Sequence, residues 1–189
     1  MTNVLIVHGV GGYPEENWFP WLKKRLEMLG YNVLVPQFPT PENQKLNSWL
    51  KVLDRYENQM GKNPVVIGHS LGVPFLLNVL EKTPAKAAFF VAGFFGKAGN
   101  DFDPAMKTFA QRKFDWTKIG ENCKHFEVFH SDNDPYIALE KGEELAVKLG
   151  VRLTLVKGAG HFNERAGYTK FPLLLEAIRE EMKRKHRNG

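Results

Sequence analysis

Short apolar runs alternate along this chain with longer segments whose apolar positions recur at helical spacing. Such short runs are typical of strands buried on both faces, and the helical spacing is typical of amphipathic helices. The runs that predict strands are residues 4–7, 32–35, 64–67, 87–91, 126–129 and 152–156. The segments that predict helices lie near residues 18–29, 46–56, 71–82, 136–149 and 169–185. This alternation predicts an α/β protein with a parallel sheet and helices on both faces.

No linker, repeat or low-complexity stretch divides the chain, and 189 residues with 43% hydrophobic content can build one core. We expect a single domain over residues 1–189, with a basic tail at 183–189 that frays. No apolar run approaches the roughly 20 residues that span a bilayer. No charged segment precedes an apolar one at the N-terminus, so we expect no secretory signal and no membrane partner. The single cysteine, Cys123, suits a reducing compartment and predicts a cytoplasmic protein.

The positive charge of the chain is concentrated near its C-terminus. The formal net charge is +5, and residues 183–187 carry four of those charges. Binding of nucleic acid needs a basic face on the folded body, with aromatic residues among the charges. We therefore predict no nucleic-acid partner and assign the basic residues to a helix end, where cations favour the helix dipole.

The pentapeptide Gly68-His69-Ser70-Leu71-Gly72 joins the third predicted strand to the third predicted helix. A serine at such a turn exposes its hydroxyl, and the flanking glycines let crowded neighbouring chains approach a strained backbone. With 17 glycines and three serines in 189 residues, chance gives roughly 0.02 matches to Gly-x-Ser-x-Gly. Ser70 is therefore a candidate nucleophile.

A serine nucleophile needs a base, and the base needs a carboxylate that orients it. In parallel sheets such groups lie in loops at the carboxyl ends of strands. The loop after the sixth predicted strand holds His161, and the loop after the fifth holds Asp132 and Asp134. We favour Asp134 as the acid because Pro135 follows it and fixes the turn into the next helix. Asp132 is the alternative, with a role in shaping the turn.

Backbone amides near Ser70 predict an oxyanion hole. The Leu71 N–H follows the nucleophile at a helix N-terminus, and the glycine-rich loop after the first strand offers a second amide. We choose the Val10 N–H, with Gly11 as the alternative. A phosphate-binding loop is excluded because neither a Lys-Ser/Thr pair nor a six-residue glycine fingerprint opens the next helix. We expect no metal and no organic cofactor.

These motifs resemble the α/β-hydrolase superfamily and, within it, the small serine hydrolases related to retinoblastoma-binding protein nine. The matching features cover nearly the whole chain: His8-Gly9, Trp18, Trp21, the pentapeptide at 68–72, Asp115-Trp116, residues 131–135 and Gly160-His161-Phe162. The resemblance implies a minimal three-layer fold that lacks the superfamily's first two strands and a large lid. It also implies a triad of Ser70, Asp134 and His161.

The chain departs from the family pattern in two places. His130 replaces a residue that is often small, and the Leu-x-Cys-x-Glu signature for binding retinoblastoma protein is absent around Cys123. We therefore do not expect that partner.

The chemistry predicted for Ser70 is acyl transfer to water through an acyl-enzyme. The expected partner is a small-molecule acyl substrate: a short ester, a thioester or an activated amide. Aromatic residues recur between 94 and 116, and Phe94, Phe95 and Trp116 are the candidate substrate contacts. A hydrophobic cluster over the sheet end explains them equally well. Two other functions stay open, namely a non-catalytic binding module on a hydrolase fold and an acyltransferase with the same residues.

Overall fold

The computed structural model describes residues 2–184. They contain a six-stranded parallel sheet with the strand order β2-β1-β3-β4-β5-β6. The strands are β1 (Asn3–Val7), β2 (Asn32–Leu34), β3 (Val65–His69), β4 (Ala87–Val91), β5 (Phe126–His130) and β6 (Leu153–Leu155). The helices are α1 (Phe19–Glu27), α2 (Leu46–Asp54), α3 (Glu57–Met60), α4 (Gly72–Leu80), α5 (Asp103–Ala110), α6 (Trp116–Asn122), α7 (Leu139–Leu149) and α8 (Pro172–Arg184). The predicted α/β architecture, without a large lid, is confirmed.

Successive residues of each strand feed two apolar layers on opposite faces of the sheet, because side chains alternate along a strand. Helices α2 to α7 cover one layer, to which the strands contribute Leu5, Val66, Phe90 and Val128. Helices α1 and α8 cover the other, to which the strands contribute Val4, Ile67, Phe89 and Phe129. Burial on both faces explains why the sequences of the central strands β3 and β4 are continuous apolar runs.

Helix α4 lies directly behind the central strand β3, and all nine of its residues are buried. The sequence predicts this, since the segment is apolar on every side. Pro74 is tolerated there because it falls in the first turn, where backbone amides have no helical partner. The helix is therefore a rigid support for the residues at its N-terminus.

Several helices differ from their predicted bounds. Helix α7 begins at Leu139 instead of residue 136, because the Asp134 carboxylate accepts hydrogen bonds from the Tyr136 and Ile137 N–H groups and holds a turn there. Helix α8 begins at Pro172 and continues through Arg184, two residues into the tail that we expected to fray. The rest of that tail, 185–189, lies outside the described residues.

The sequence pattern missed the short helices α3, α5 and α6 and a 3₁₀ turn at Glu164–Ala166. Local side-chain capping begins two of these elements: Asp115 accepts the Lys118 N–H at 3.0 Å, and Asn163 accepts the Ala166 N–H at 3.0 Å. None of the helices found between residues 2 and 184 has the length and apolar character needed to cross a bilayer.

Candidate active site

Ser70 lies in the sharp turn between β3 and α4, at the centre of the sheet. Its φ is +53°, in the left-handed region that non-glycine residues rarely adopt, and its N–H donates to the Val91 carbonyl at 2.9 Å. The hydrogen bond to Val91, the last residue of β4, holds the strained turn in place. Ser70 is largely buried but lines a cavity, so the structure has the strand–turn–helix geometry of a nucleophile elbow.

The glycines around the elbow are explained by what a side chain would meet. A Cβ on Gly72 would overlap the Val7 carbonyl oxygen, and a Cβ on Gly68 would lie 3.0 Å from the backbone of Gly72. A Cβ on Gly9 would lie 3.0 Å from the Ser70 Cβ. The loop after β1 therefore passes directly against Ser70, and only glycine permits that approach.

His161 and Asp134 are hydrogen-bonded to each other beside this turn. The His161 Nδ1–H donates to Asp134 Oδ2 at 2.7 Å, and the Asp134 side chain is fully buried. Its other oxygen, Oδ1, accepts the N–H groups of Tyr136 at 2.9 Å and Ile137 at 3.1 Å. With Nδ1 as the donor, His161 Nε2 is left as the basic nitrogen.

The electrostatics of Asp134 favour a carboxylate. Burial acts to raise its pKa, but the hydrogen bonds from His161 and from two backbone amides outweigh it, so the pKa lies below its usual value. Asp132 is placed differently: it accepts the Gly158 N–H at 2.8 Å on the exposed side of the loop. The structure brings Asp134 to His161 and gives Asp132 a turn-shaping position.

His69 lies behind His161 and was not singled out for the site by sequence reasoning. Its Nε2–H donates to the His161 carbonyl oxygen at 2.8 Å, and its ring is buried beside Trp18 and Phe19. Burial, reinforced by His161, lowers its pKa to about 3, so His69 is neutral at ordinary pH. The histidine that precedes Ser70 therefore holds the backbone of the candidate base.

The candidate oxyanion donors lie on two sides of Ser70. Val10 lines the cavity, and Leu71 immediately precedes α4. The Gly11 N–H already donates to Thr40 Oγ1 at 2.7 Å, which disfavours Gly11 as the second donor. Hydrogen bonds among residues 2–184 leave the N–H groups of Val10 and Leu71 unused.

The cavity beside Ser70 has a volume of about 350 Å³. Its lining includes Ser70, His69, His161, Gly9 and Val10. Its apolar side is formed by Phe102, Met106, Tyr136 and Ile137. Its polar side is formed by Glu16, Asn17, Asn163, Glu164 and Arg165. Among residues 2–184, no three His, Cys, Asp or Glu side chains are grouped so that they could hold a metal ion.

Phe94, Phe95 and Trp116 do not line this cavity, and their prediction as substrate contacts is corrected. Phe94 is fully buried in the core, and Phe95 packs edge-on against Trp116 with ring centroids 5.0 Å apart. The chain after β4 passes so close to α4 that a Cβ on Gly93 would meet the Val73 side chain, and this directs the aromatics into the core layer. The apolar wall of the cavity is formed by residues later in the chain, Phe102 and Met106.

Comparisons with known proteins find relatives that cover nearly the whole chain. The family described as serine hydrolase matches residues 4–180. The YdeN protein of Bacillus subtilis is 32% identical over 179 residues, or 93% of both chains. The crystal structure of the ydeN gene product covers 97% of this chain and 100% of its own, with a TM-score of 0.89 at 30% identity. The serine hydrolase RBBP9 of Rattus norvegicus is 28% identical over 181 residues, or 94% of both chains.

A more distant structure shares the fold. Est1E of Butyrivibrio proteoclasticus, with ferulic acid bound, has a TM-score of 0.73 at 16% identity over 97% of this chain and 89% of its own. The strand order, the elbow and these structures define an α/β hydrolase. Within that class, the chain belongs to the serine hydrolase family.

Proposed function

We propose that this protein is a carboxylesterase-like hydrolase of small acyl substrates, with Ser70, His161 and Asp134 as its catalytic triad. The observation that carries the proposal is the 2.7 Å bond from His161 Nδ1 to a buried carboxylate, in a cavity that His161 shares with the strained Ser70. The bond fixes the His161 tautomer in which Nε2 can accept a proton. The family membership supports the same chemistry.

The reaction begins when His161 Nε2 takes the proton from Ser70 Oγ. The Oγ atom then forms a bond to the substrate carbonyl carbon. The carbonyl oxygen becomes an oxyanion and accepts hydrogen bonds from the N–H groups of Val10 and Leu71, each worth about 3–4 kcal/mol in related enzymes. The tetrahedral intermediate collapses, and the leaving group departs with the proton from His161. Water then attacks the acyl-enzyme with His161 as its base and releases the acid.

Asp134 stays ionised throughout this cycle. Its pKa lies below the usual value, and it stabilises the imidazolium that forms on His161 without taking the proton itself. His69, held neutral by burial, adds no positive charge that would oppose this imidazolium.

The cavity favours small substrates. Its volume of about 350 Å³ lies at the lower end of ligand pockets, and Phe102 and Met106 form an apolar wall. We expect Phe102→Ala to change the preference among acyl chain lengths, while Trp116→Ala, which alters only the core cluster, keeps that preference and lowers stability. Specificity constants for p-nitrophenyl acetate, butyrate and octanoate check this. Equal shifts in preference for the two variants would contradict the assignment of the wall.

The test of the function uses p-nitrophenyl butyrate. We expect a burst of p-nitrophenol, with an amplitude of one per enzyme molecule where deacylation is slower than acylation, followed by turnover that Ser70→Ala lacks. Product analysis with added methanol separates hydrolysis from transfer to an alcohol. Absence of turnover in the folded protein would favour the binding module, and methyl ester as the main product at low methanol would favour the acyltransferase.

Location in the cytoplasm stays a prediction.

A further inference from the structure

Glu16 lies in the loop between β1 and α1 and lines the same cavity as Ser70 and His161. The side chain is partly buried, and its Oε1 is close enough to Gly12 that a Cβ there would come within 2.6 Å of it. The carboxylate therefore packs against the glycine-rich loop that carries Val10. Glu16 is therefore positioned at the border of the space that a substrate would fill.

No cationic side chain of the described residues forms an ion pair with Glu16. Burial is the largest cause of a raised pKa, and the negative charge of Glu164 adds to it, whereas the Tyr13 backbone N–H opposes it. The pKa of Glu16 is raised to about 7. A partly buried carboxylate without a counterion is destabilised in its charged form, and a cation brought into the cavity would relieve this.

The other charged and titratable groups around the cavity do not supply that cation. Glu164 and Arg165 are adjacent and exposed on the 3₁₀ turn, and Arg165 forms no ion pair with Glu16, while Glu164 adds a second negative charge near it. The His8 ring faces Gly12 as the Glu16 carboxylate does, and burial lowers the pKa of both His8 and His69, so neither histidine supplies the cation. The His161 imidazole is hydrogen-bonded to Asp134. The Glu16 carboxylate therefore has no cationic partner among the described residues of the cavity lining.

We propose that Glu16 is a specificity-determining residue that selects esters and thioesters carrying a positively charged ammonium group near the scissile carbonyl. The inference rests on the proposed hydrolase function and names its substrate class. The apolar wall of Phe102 and Met106 accommodates the carbon skeleton, and Glu16 binds the cation. A neutral ester of the same shape leaves the carboxylate unpaired in the complex, so its transition state is bound less tightly.

The test uses isosteric pairs in which a quaternary nitrogen replaces a carbon. In the first pair, acetylcholine carries the positive charge in its leaving group, and 3,3-dimethylbutyl acetate is its neutral isostere. The p-nitrophenyl esters of 4-(trimethylammonio)butanoic acid and 5,5-dimethylhexanoic acid place it in the acyl group. The readout is the ratio of kcat/KM within a pair, in which the contributions of catalytic groups that act on both esters alike cancel.

We expect at least one pair to favour the cation about tenfold or more at pH 8, equal to about 1.4 kcal/mol. The preference should fall between pH 8 and pH 6, as Glu16 becomes protonated near its pKa of about 7. Glu16→Gln should reduce the ratio to below about 2. Glu15→Gln is the matched control, since Glu15 is exposed and lies outside the cavity lining, and it should keep the wild-type ratio.

Two results would overturn the inference and leave the hydrolase function intact: ratios near one in both pairs, or a cation preference that survives in Glu16→Gln. A failure to hydrolyse any ester, with no labelling of Ser70, would contradict the proposed function and the inference together. A measurement on the wild type needs no variant: choline should protect Ser70 from a fluorophosphonate better than 3,3-dimethylbutan-1-ol. Equal protection by the two alcohols would contradict the role of Glu16.

Discussion

Replacement of Asp134 by asparagine separates the two candidate acids. The Asp134 carboxylate accepts three hydrogen bonds: one from His161 Nδ1 at 2.7 Å and two from the N–H groups of Tyr136 and Ile137 at 2.9 and 3.1 Å. Asparagine keeps one acceptor oxygen. Because the two amides are fixed in the turn, that oxygen faces them and the new NH₂ group faces His161. The imidazole must then carry its proton on Nε2, the nitrogen that should accept the Ser70 proton.

The expected loss in kcat is about 10⁴-fold, as found when the acid of a serine-protease triad becomes asparagine, which equals about 5.4 kcal/mol in the barrier. Replacement of hydrogen bonds to a charged acceptor by neutral ones should also lower the free energy of unfolding by about 1–3 kcal/mol at pH 7. The folded pKa of Asp134 lies below its unfolded value, so this stabilisation is present above about pH 4. It disappears as the pH falls through the folded pKa.

Asp132→Asn is the matched control, since asparagine keeps an acceptor for the Gly158 N–H at 2.8 Å. We expect activity within about twofold of wild type and a change in stability below about 0.5 kcal/mol. Ester turnover and urea unfolding measure both quantities on the same samples. A larger loss of activity in Asp132→Asn than in Asp134→Asn would refute the assignment of the acid.

Two further predictions concern stability. Gly72→Ala should lower the free energy of unfolding by about 2–4 kcal/mol, because the new Cβ overlaps the Val7 carbonyl oxygen. Gly120→Ala, at an open site in α6, should raise it by about 0.5–1 kcal/mol. Equal effects of the two variants in urea unfolding would contradict this prediction. His69 is buried, and its pKa in the folded protein is about 3, below its unfolded value near 6.5. Between these pH values the unfolded state therefore binds more protons than the folded state. The free energy of unfolding consequently falls as the pH is lowered from about 6.5 toward 3. His69→Gln should remove up to about 1.4 kcal/mol per pH unit from that slope, and an unchanged slope in urea unfolding from pH 6 to pH 4 would show that the unfolding does not involve this histidine.

The sheet could be predicted from sequence because its four inner strands, β1, β3, β4 and β5, are largely buried on both faces. Residues 65–67 and 87–91 are continuous apolar runs, and the structure pairs them side by side in parallel. Helix ends were less predictable, since they depend on single hydrogen bonds. The start of α7 moved to Leu139 because the Asp134 side chain holds the preceding turn.

The candidate triad could be predicted because parallel strands bring their carboxyl-terminal loops to one edge of the sheet. Ser70, Asp134 and His161 each follow a different strand, and the structure brings all three to that edge. The apolar wall could not be predicted. Its position depends on how the chain leaves β4, where Ala92 has a φ of +50° and Gly93 packs against α4.

Glu16 gave no signal in the sequence pattern. Its place in the cavity depends on the turn through Asn17, whose φ is +54° and whose side chain accepts the Glu164 N–H at 2.8 Å. This bond joins the loop after β1 to the loop after β6, a contact between residues far apart in the chain. Asparagine is one of the few residues that tolerate this backbone conformation, which is the only local indication of the turn.

The proposed hydrolysis requires Ser70 to be a nucleophile activated by His161. Intact-mass analysis after reaction with a fluorophosphonate, followed by peptide mapping, tests it most directly. We expect one adduct per chain, located on Ser70, with a labelling rate at least about 10²-fold lower in His161→Ala, since that variant lacks the base. An adduct on another residue, or equal labelling of the wild type and His161→Ala, would contradict it.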